Sequence, residues 1–321
     1  MLSPTYENAF VSGGAGFLGS HLVRRLLSRP EARRVVIYDN FSSGQESHLT
    51  DLRDDARLQI VTADLKDKDA VTAAMRGCEV VFHLAANPDI ARAVTQPDID
   101  FWEGTYLAQN VIEAMRVTGA TRILYTSGSG VYGENASVAF AENYGPCIPI
   151  STYGASKLAC EALIAAYCHM FGITGRAFRF ANVVGPRQTH GVGYDFVRRL
   201  KADPARLRIL GDGSQSKSYI HVDDVLEAVF TADARCAAKY DVFNVATGDY
   251  ITVKEIAGIA AQVCGVSDVR HEFTGGDRGW KGDVPVVRFD CSKIEALGWR
   301  CGRTSAQAVR DAMAAMREEL A

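Results

Sequence analysis

The sequence predicts an α/β protein: a doubly wound parallel sheet followed by a smaller, loop-rich C-terminal lobe. Three observations carry that expectation. Short apolar strand candidates alternate with helix-length segments from residue 9 to about residue 180, the order that builds parallel sheets. The first strand candidate, Ala9-Phe10-Val11, runs straight through a glycine-rich turn into a helix-period run. The residues suited to chemistry fall at the carboxyl ends of the strand candidates, where such sheets bind ligands.

The turn reads Ser12-Gly13-Gly14-Ala15-Gly16-Phe17-Leu18-Gly19-Ser20, after which Leu22, Val23, Leu26 and Leu27 keep helical spacing. Its glycines fit both Gly-x-x-Gly-x-x-Gly and Gly-x-Gly-x-x-Gly. They permit a tight turn and close backbone approach to a pyrophosphate, which would rest on the unpaired N–H groups of the helix N-terminus. The second strand, Val35 to Tyr38, ends in Asp39, 20 residues beyond Gly19. A dinucleotide fold holds a carboxylate there against the adenosine ribose. That charge repels a 2′-phosphate and no arginine follows directly, so NAD is favoured over NADP.

The third strand, Leu58 to Val61, leads to Ala63-Asp64-Leu65, and the fourth, Glu79 to Leu84, ends in Ala85-Ala86-Asn87. Small residues after the fourth strand let backbone approach a cofactor. His83, inside an apolar strand, reads as a core histidine. A helix through Trp102, Leu107, Val111, Ile112 and Met115 stops at Gly119, a suitable C′ residue. The fifth strand, Arg122 to Thr126, opens into Ser127-Gly128-Ser129-Gly130-Val131-Tyr132-Gly133.

A long helix follows, from Ser151 to about Phe171, and near its start Tyr153 and Lys157 stand four residues apart, on one face. An unperturbed phenol has a pKa near ~10, and a neighbouring cation favours the phenolate. The pair therefore suits proton transfer near neutral pH. Taken alone, the spacing describes an amphipathic helix surface equally well.

Past a sixth strand, Arg176 to Phe180, the texture turns loop-rich, and two helices open with capping-box patterns, Thr252…Glu255 and Thr304…Gln307. The expected division is a Rossmann-like NAD-binding domain over 1–181, with 214–250 returning to it, and a substrate lobe from 182–213 and 251–321. The 321 residues are 47% hydrophobic and 23% charged with a net charge of −3. That gives no electrostatic case for nucleic acid or an anionic membrane. No apolar run has the length of a membrane span. Eight dispersed cysteines form no metal-spaced cluster, so no metal is expected. Free thiols and an N-terminus without signal-peptide regions lead us to expect a cytoplasmic protein.

With Gly13 to Gly19, Asp39, Asp64, Ser127…Tyr132-Gly133 and Tyr153…Lys157 in this order, the chain resembles the extended short-chain dehydrogenase/reductase family. Within it the chain is similar to the nucleotide-sugar epimerases and dehydratases, most of all the UDP-glucose 4-epimerase type. The likeness continues through Asn182 to Arg187, Ser218 to Val225 and Lys281-Gly282-Asp283-Val284. The resemblance implies NAD-dependent epimerisation at C4 of a nucleotide-diphosphate sugar through a 4-keto intermediate, with Tyr153 exchanging the proton of the 4-hydroxyl. It implies NAD contacts from Gly13, Gly16, Phe17, Leu18, Gly19, Asp39, Asn40, Asp64, Leu65, Leu84, Ala85, Ala86, Tyr153 and Lys157. It implies substrate contacts from Asn87, Asn182, Arg187, Lys217 and Arg278, with Val287 shaping the sugar pocket, and a homodimer packed through the Tyr153 helix and the helix near 103–118.

Two departures matter. The family's Ser or Thr, five residues before the glycine of Val-Tyr-Gly, is here Gly128, so the hydroxyl that meets the sugar O4 falls to Ser127 or Ser129. The Asp-Glu that follows it in 4,6-dehydratases is here Ser129-Gly130, which points away from elimination and towards epimerisation. A dehydratase or other sugar-nucleotide oxidoreductase is the alternative, and a non-catalytic dinucleotide sensor a lesser one.

Overall fold

The glycine-rich turn joins β1 (Asn8–Ser12) to α1 (Phe17–Leu27). In this computed structural model, which describes residues 4–279 and 282–320, β2 (Arg34–Asp39), β3 (Leu58–Thr62), α2 (Lys68–Met75) and β4 (Val80–His83) come next. Lys281 lies outside the described residues. Then follow α3 (Tyr106–Thr118), β5 (Arg122–Gly128), α4 (Thr152–Phe171) and β6 (Thr174–Phe180). The apolar runs of β2 and β4 are buried along almost their whole length, as parallel strands covered on both faces must be. Gly119 ends α3 in the left-handed conformation at φ 81°, as the sequence predicts. That helix begins differently from expectation. Phe101–Thr105 winds as a π-turn before α3, where a Cβ on Gly104 would collide with the Ser156 hydroxyl.

The remaining elements are β7 (Asn182–Val184), α5 (Val192–Ala202), β8 (Arg206–Ile209), β9 (Ser216–Lys217), β10 (Tyr219–His221), α6 (Val222–Arg235) and β11 (Tyr240–Val245). They continue with β12 (Ile251–Thr252), α7 (Val253–Cys264), β13 (Arg270–Phe273), α8 (Ser292–Ala296) and α9 (Ser305–Glu319). Both capping boxes form: Thr252 with Glu255 opens α7, and Thr304 with Gln307 opens α9.

The main sheet has seven strands in the order β11-β6-β5-β4-β1-β2-β3. β1 pairs in parallel with both β2 and β4, in register Val11 with Ile37 and with Phe82. The chain order reverses at β1, and the crevice at such a switch point is where doubly wound sheets take their ligands.

The chain forms two compact units, one of Met1–Val131, Thr152–Arg179 and Val229–Phe243, the other of Tyr132–Ser151, Phe180–Ala228 and Asn244–Ala321. The first is built on the sheet, with Val111 and Met115 of α3 and Cys160, Ile164 and Cys168 of α4 packed against Phe10, Val36 and Ile123. The second has its own core, in which α5, α7 and α9 bring Phe196, Ile256 and Met313 together with Leu207 and Ile209 of β8. Among the described residues, no helix is long and apolar enough to cross a membrane.

Candidate active site

Gly13 sits at φ +72°, and a Cβ there would lie 2.9 Å from the backbone nitrogen of Ala85. The turn is thus pressed onto the end of β4, and only a residue without a side chain fits. A Cβ on Gly19 would collide with the Gly13 carbonyl and come 2.7 Å from the Gly14 Cα. The cap residue of α1 is Gly16, which offers no side-chain oxygen, so the first-turn N–H groups of Phe17 and Leu18 have no side-chain cap. Uncapped N–H groups at a helix start attract an anion.

At the end of β2 the Asp39 carboxylate accepts the Ala15 N–H and the Phe41 N–H, each at 2.9 Å. Burial raises its pKa, and those two N–H bonds oppose the rise. Asp64 accepts from the Asn40 side chain at 3.1 Å and from the Lys66 N–H at 2.8 Å. Leu65 is buried, while Leu84, Ala85 and Ala86 are half-buried at the end of β4. A glycine cradle closed to any Cβ, a helix start without a cap and a strand-end carboxylate fit a dinucleotide.

α4 carries the candidate proton-transfer pair. Lys157 is buried, its Nζ 5.5 Å from the centre of the half-buried Tyr153 ring and 5.0 Å from that of Tyr125. The ammonium donates to the Thr126 carbonyl at 2.7 Å, which holds it under the strand end. His83 is a core residue, as read from the sequence: its Nδ1 meets the Ser12 hydroxyl at 2.7 Å and its ring stacks on Tyr125 at 5.6 Å. Burial first, and the Lys157 charge second, push its pKa down to about 3, so the imidazole is neutral.

The two serines left open by the sequence have different surroundings. Ser127 is buried and donates to the Glu161 carboxylate at 2.5 Å. Strand alternation explains this, because Ile123, Tyr125 and Ser127 share one face of β5 and the first two pack in the core with Cys160 of α4. Ser129 is half-buried and opens the short helical turn Ser129–Tyr132. The chain then passes beside the start of α4, where a Cβ on Gly130 would lie 3.4 Å from the Gly154 Cα. At Gly128 a Cβ would meet nothing within 4 Å.

Asn87, expected to reach substrate, is instead turned inward. Its NH2 donates to Asp100 at 2.8 Å and to the Asp89 carbonyl at 2.9 Å, while its oxygen accepts the Asp89 N–H. An amide so fully engaged holds the 87–100 loop and has little left for a ligand.

In the second unit Lys217 pairs with Asp283 at 2.5 Å. Arg278 places one nitrogen on both Glu134 oxygens at 2.8 and 3.0 Å and another on the Asp283 carbonyl at 2.7 Å. Asp283 therefore gathers these two candidate anion-binding cations. Asn182 is exposed, and its amide and backbone N–H both donate to the Ser218 carbonyl. Arg187 sits at φ +64°, and its backbone N–H donates to the Glu319 carboxylate near the end of α9. Val287 is buried at 5% exposure, so its size is constrained by packing.

Sequence reasoning missed Glu161 and Arg179, a buried ion pair with contacts of 2.7 and 3.0 Å. Both left a signal: a carboxylate one turn beyond Lys157 on the core face of α4, and an arginine inside an otherwise apolar strand.

A family model described as the NAD dependent epimerase/dehydratase family matches residues 9–246. UDP-glucose 4-epimerase of Mycolicibacterium smegmatis is 34% identical over 297 residues, spanning 90% of this chain and 92% of that protein. A crystal structure of a UDP-galactose 4-epimerase superposes with a TM-score of 0.87 at 36% identity, over 98% of this chain and all of the other. The dTDP-glucose 4,6-dehydratase of Streptomyces venezuelae, solved with NAD bound, gives a TM-score of 0.88 at 28% identity and 97% coverage of both chains.

Proposed function

This chain belongs to the NAD dependent epimerase/dehydratase family, and from that premise we propose that it inverts C4 of a nucleotide-diphosphate sugar, either UDP-glucose and UDP-galactose or an N-acetylated analogue. The observation that carries the reading is the Tyr153–Lys157 pair, with the ammonium 5.5 Å from the phenol ring and fixed by the Thr126 carbonyl at the end of β5. What favours epimerisation over elimination is Ser129-Gly130, where 4,6-dehydratases carry Asp-Glu.

The glycine turn, the start of α1, Asp39, Asp64 and Lys157 would hold NAD, which when bound supplies a reversible electron-pair acceptor for C4. Tyr153 Oη takes the proton of the sugar 4-hydroxyl and returns it. Lys157 places its ammonium beside the phenol ring. Ser129 supplies the hydroxyl that meets O4, supported by the commitment of Ser127 to Glu161 and by the passage of Gly130 beside Gly154. Lys217 and Arg278, gathered by Asp283, together with Asn182, take the diphosphate. On this reading the sheet-based unit is the NAD-binding domain and the other the sugar-nucleotide lobe.

The protein works as a cytoplasmic homodimer joined through α3 and α4. Small residues along α4 (Ala159, Ala162, Ala165, Ala166) and the exposed Val117, Met170 and Phe171 support that interface. NMR of UDP-glucose, UDP-galactose and their N-acetylated analogues, incubated with protein and NAD, tests the activity. Retention of C4 configuration in every nucleotide sugar refutes it, and a stable keto product would select the dehydratase reading. A monomer by light scattering at micromolar concentration would remove the dimer.

A further inference from the structure

We propose that Glu161, held by Arg179, is a positioning residue that sets the Ser129 hydroxyl against Tyr153; the idea rests on the roles given to those two residues above. Two consecutive residues at the end of β5 are gripped by two consecutive turns of α4. Lys157 donates to the Thr126 carbonyl at 2.7 Å, and one turn later Glu161 accepts the Ser127 hydroxyl at 2.5 Å. The same helix face presents Tyr153 one turn before Lys157. Helix and strand end are thereby locked in one register, from which the chain continues directly into Gly128-Ser129-Gly130.

That three-residue stretch needs an external anchor. Gly128 has no side chain and open space where a Cβ would lie, and Gly130 touches α4 through backbone alone. Neither glycine can hold Ser129 by packing, so its placement depends on its flanks: the buried Val131 and Tyr132 that follow in the same helical turn, and the residues before it. Ser127 is the nearest with a side-chain bond, and a hydroxyl donating to a carboxylate makes a strong, short one.

Arg179 fixes the acceptor. Its Nε donates to Glu161 Oε1 at 3.0 Å and its Nη2 to Oε2 at 2.7 Å, with Glu161 only 4% and Arg179 only 5% exposed. A buried ion pair adds little stability relative to well-packed apolar residues, so stability alone is a weak reason for this one. Geometry is a stronger reason, because the bidentate fork leaves the carboxylate no freedom to rotate. A displacement of about 1 Å in a reacting group costs on the order of a hundredfold in rate, and a partial loosening about tenfold.

The test compares Ser127→Ala, Ser127→Thr, Ser129→Ala and the double variant Glu161→Leu/Arg179→Met with the wild type. Steady-state kinetics, thermal unfolding and hydrogen exchange of the peptide spanning 128–130 are measured on the NAD-loaded protein. Glu161→Gln alone is avoided because it strands a buried arginine. Ser127→Ala and the double variant are expected to lose about tenfold in kcat with KM and Tm close to wild type, and to exchange faster at 128–130. Ser127→Thr, which keeps the hydroxyl, restores both. A fall in Tm with kcat per folded molecule unchanged overturns the proposal, since the triad would then be structural only. Loss in Ser127→Ala as large as in Ser129→Ala, with exchange at 128–130 unchanged, also overturns it, because Ser127 would then act directly. If the wild type turns over no nucleotide sugar, the functional reading falls by itself, and exchange at 128–130 still decides whether Glu161 anchors the segment.

Discussion

Acid should unfold this protein through His83 earlier than an ordinary histidine would allow. The imidazole is buried against Tyr125, bonded to Ser12 and close to the Lys157 charge, and its pKa falls from 6.5 to about 3. The unfolded chain binds that proton near pH 6.5 and the folded one only near pH 3, so between these values the unfolded state holds more protons. Stability therefore rises with pH through the window and is lost as pH falls, by about 1.4 kcal/mol per pH unit. At about pH 4 the accumulated loss is about 3 kcal/mol, a sizeable part of the roughly 5–15 kcal/mol that holds a domain folded. Urea unfolding of wild type and His83→Asn at pH steps from about 4 to about 7 measures it. The cavity left by the substitution lowers stability at every pH, so the difference in slope isolates the imidazole from other titrating groups. Parallel slopes would show that His83 is protonated in the fold, and the reasoning from burial would fail.

The other expectations concern the site and its scaffold. Tyr153→Phe should lower kcat at least about a hundredfold while NAD affinity by calorimetry stays near wild type; near-normal turnover would remove Tyr153 from the chemistry. Gly13→Ala combines a left-handed φ of +72° with a contact of 2.9 Å to the Ala85 nitrogen. NAD binding should weaken by about 2 kcal/mol, roughly thirtyfold, and unchanged affinity in the same titration would contradict the cradle. Gly128→Ser enters space with no atom within 4 Å, so its Tm should stay close to wild type, and in a Ser129→Ala background it should recover activity. Thr304→Ala removes the cap of α9 and should cost about 1 kcal/mol by chemical denaturation, without altering KM.

Local chemistry was readable in the chain. A glycine turn between a strand and a helix has few alternatives, and it lends meaning to Asp39, 20 residues beyond Gly19, and to the Tyr153–Lys157 spacing, which alone describes a helix surface equally well. Six of the seven main strands were placed to within one or two residues from their apolar runs, although β3 is largely exposed, and the seventh, β11, was not anticipated. Nor were the short strands of the second unit, such as β7, β9 and β10, since two or three residues carry no usable periodicity. The π-turn before α3 depends on Gly104 meeting Ser156, a neighbour supplied by another helix.

By itself, then, the sequence determined the doubly wound fold, and it marked a glycine turn suited to a dinucleotide and a tyrosine–lysine spacing suited to proton transfer, each written in contiguous or periodic residues. The tertiary structure alone decided which partners the polar side chains take. Ser127 turns to Glu161, 34 residues away, and Arg278 to Glu134, 144 residues away. Asn87 closes on Asp100 and so is engaged within its own loop. Such pairings are settled by which face a strand presents and which helix covers it. That is a property of packing, because a hydroxyl or an amide forms its bond with whichever buried partner the fold brings within about 3 Å.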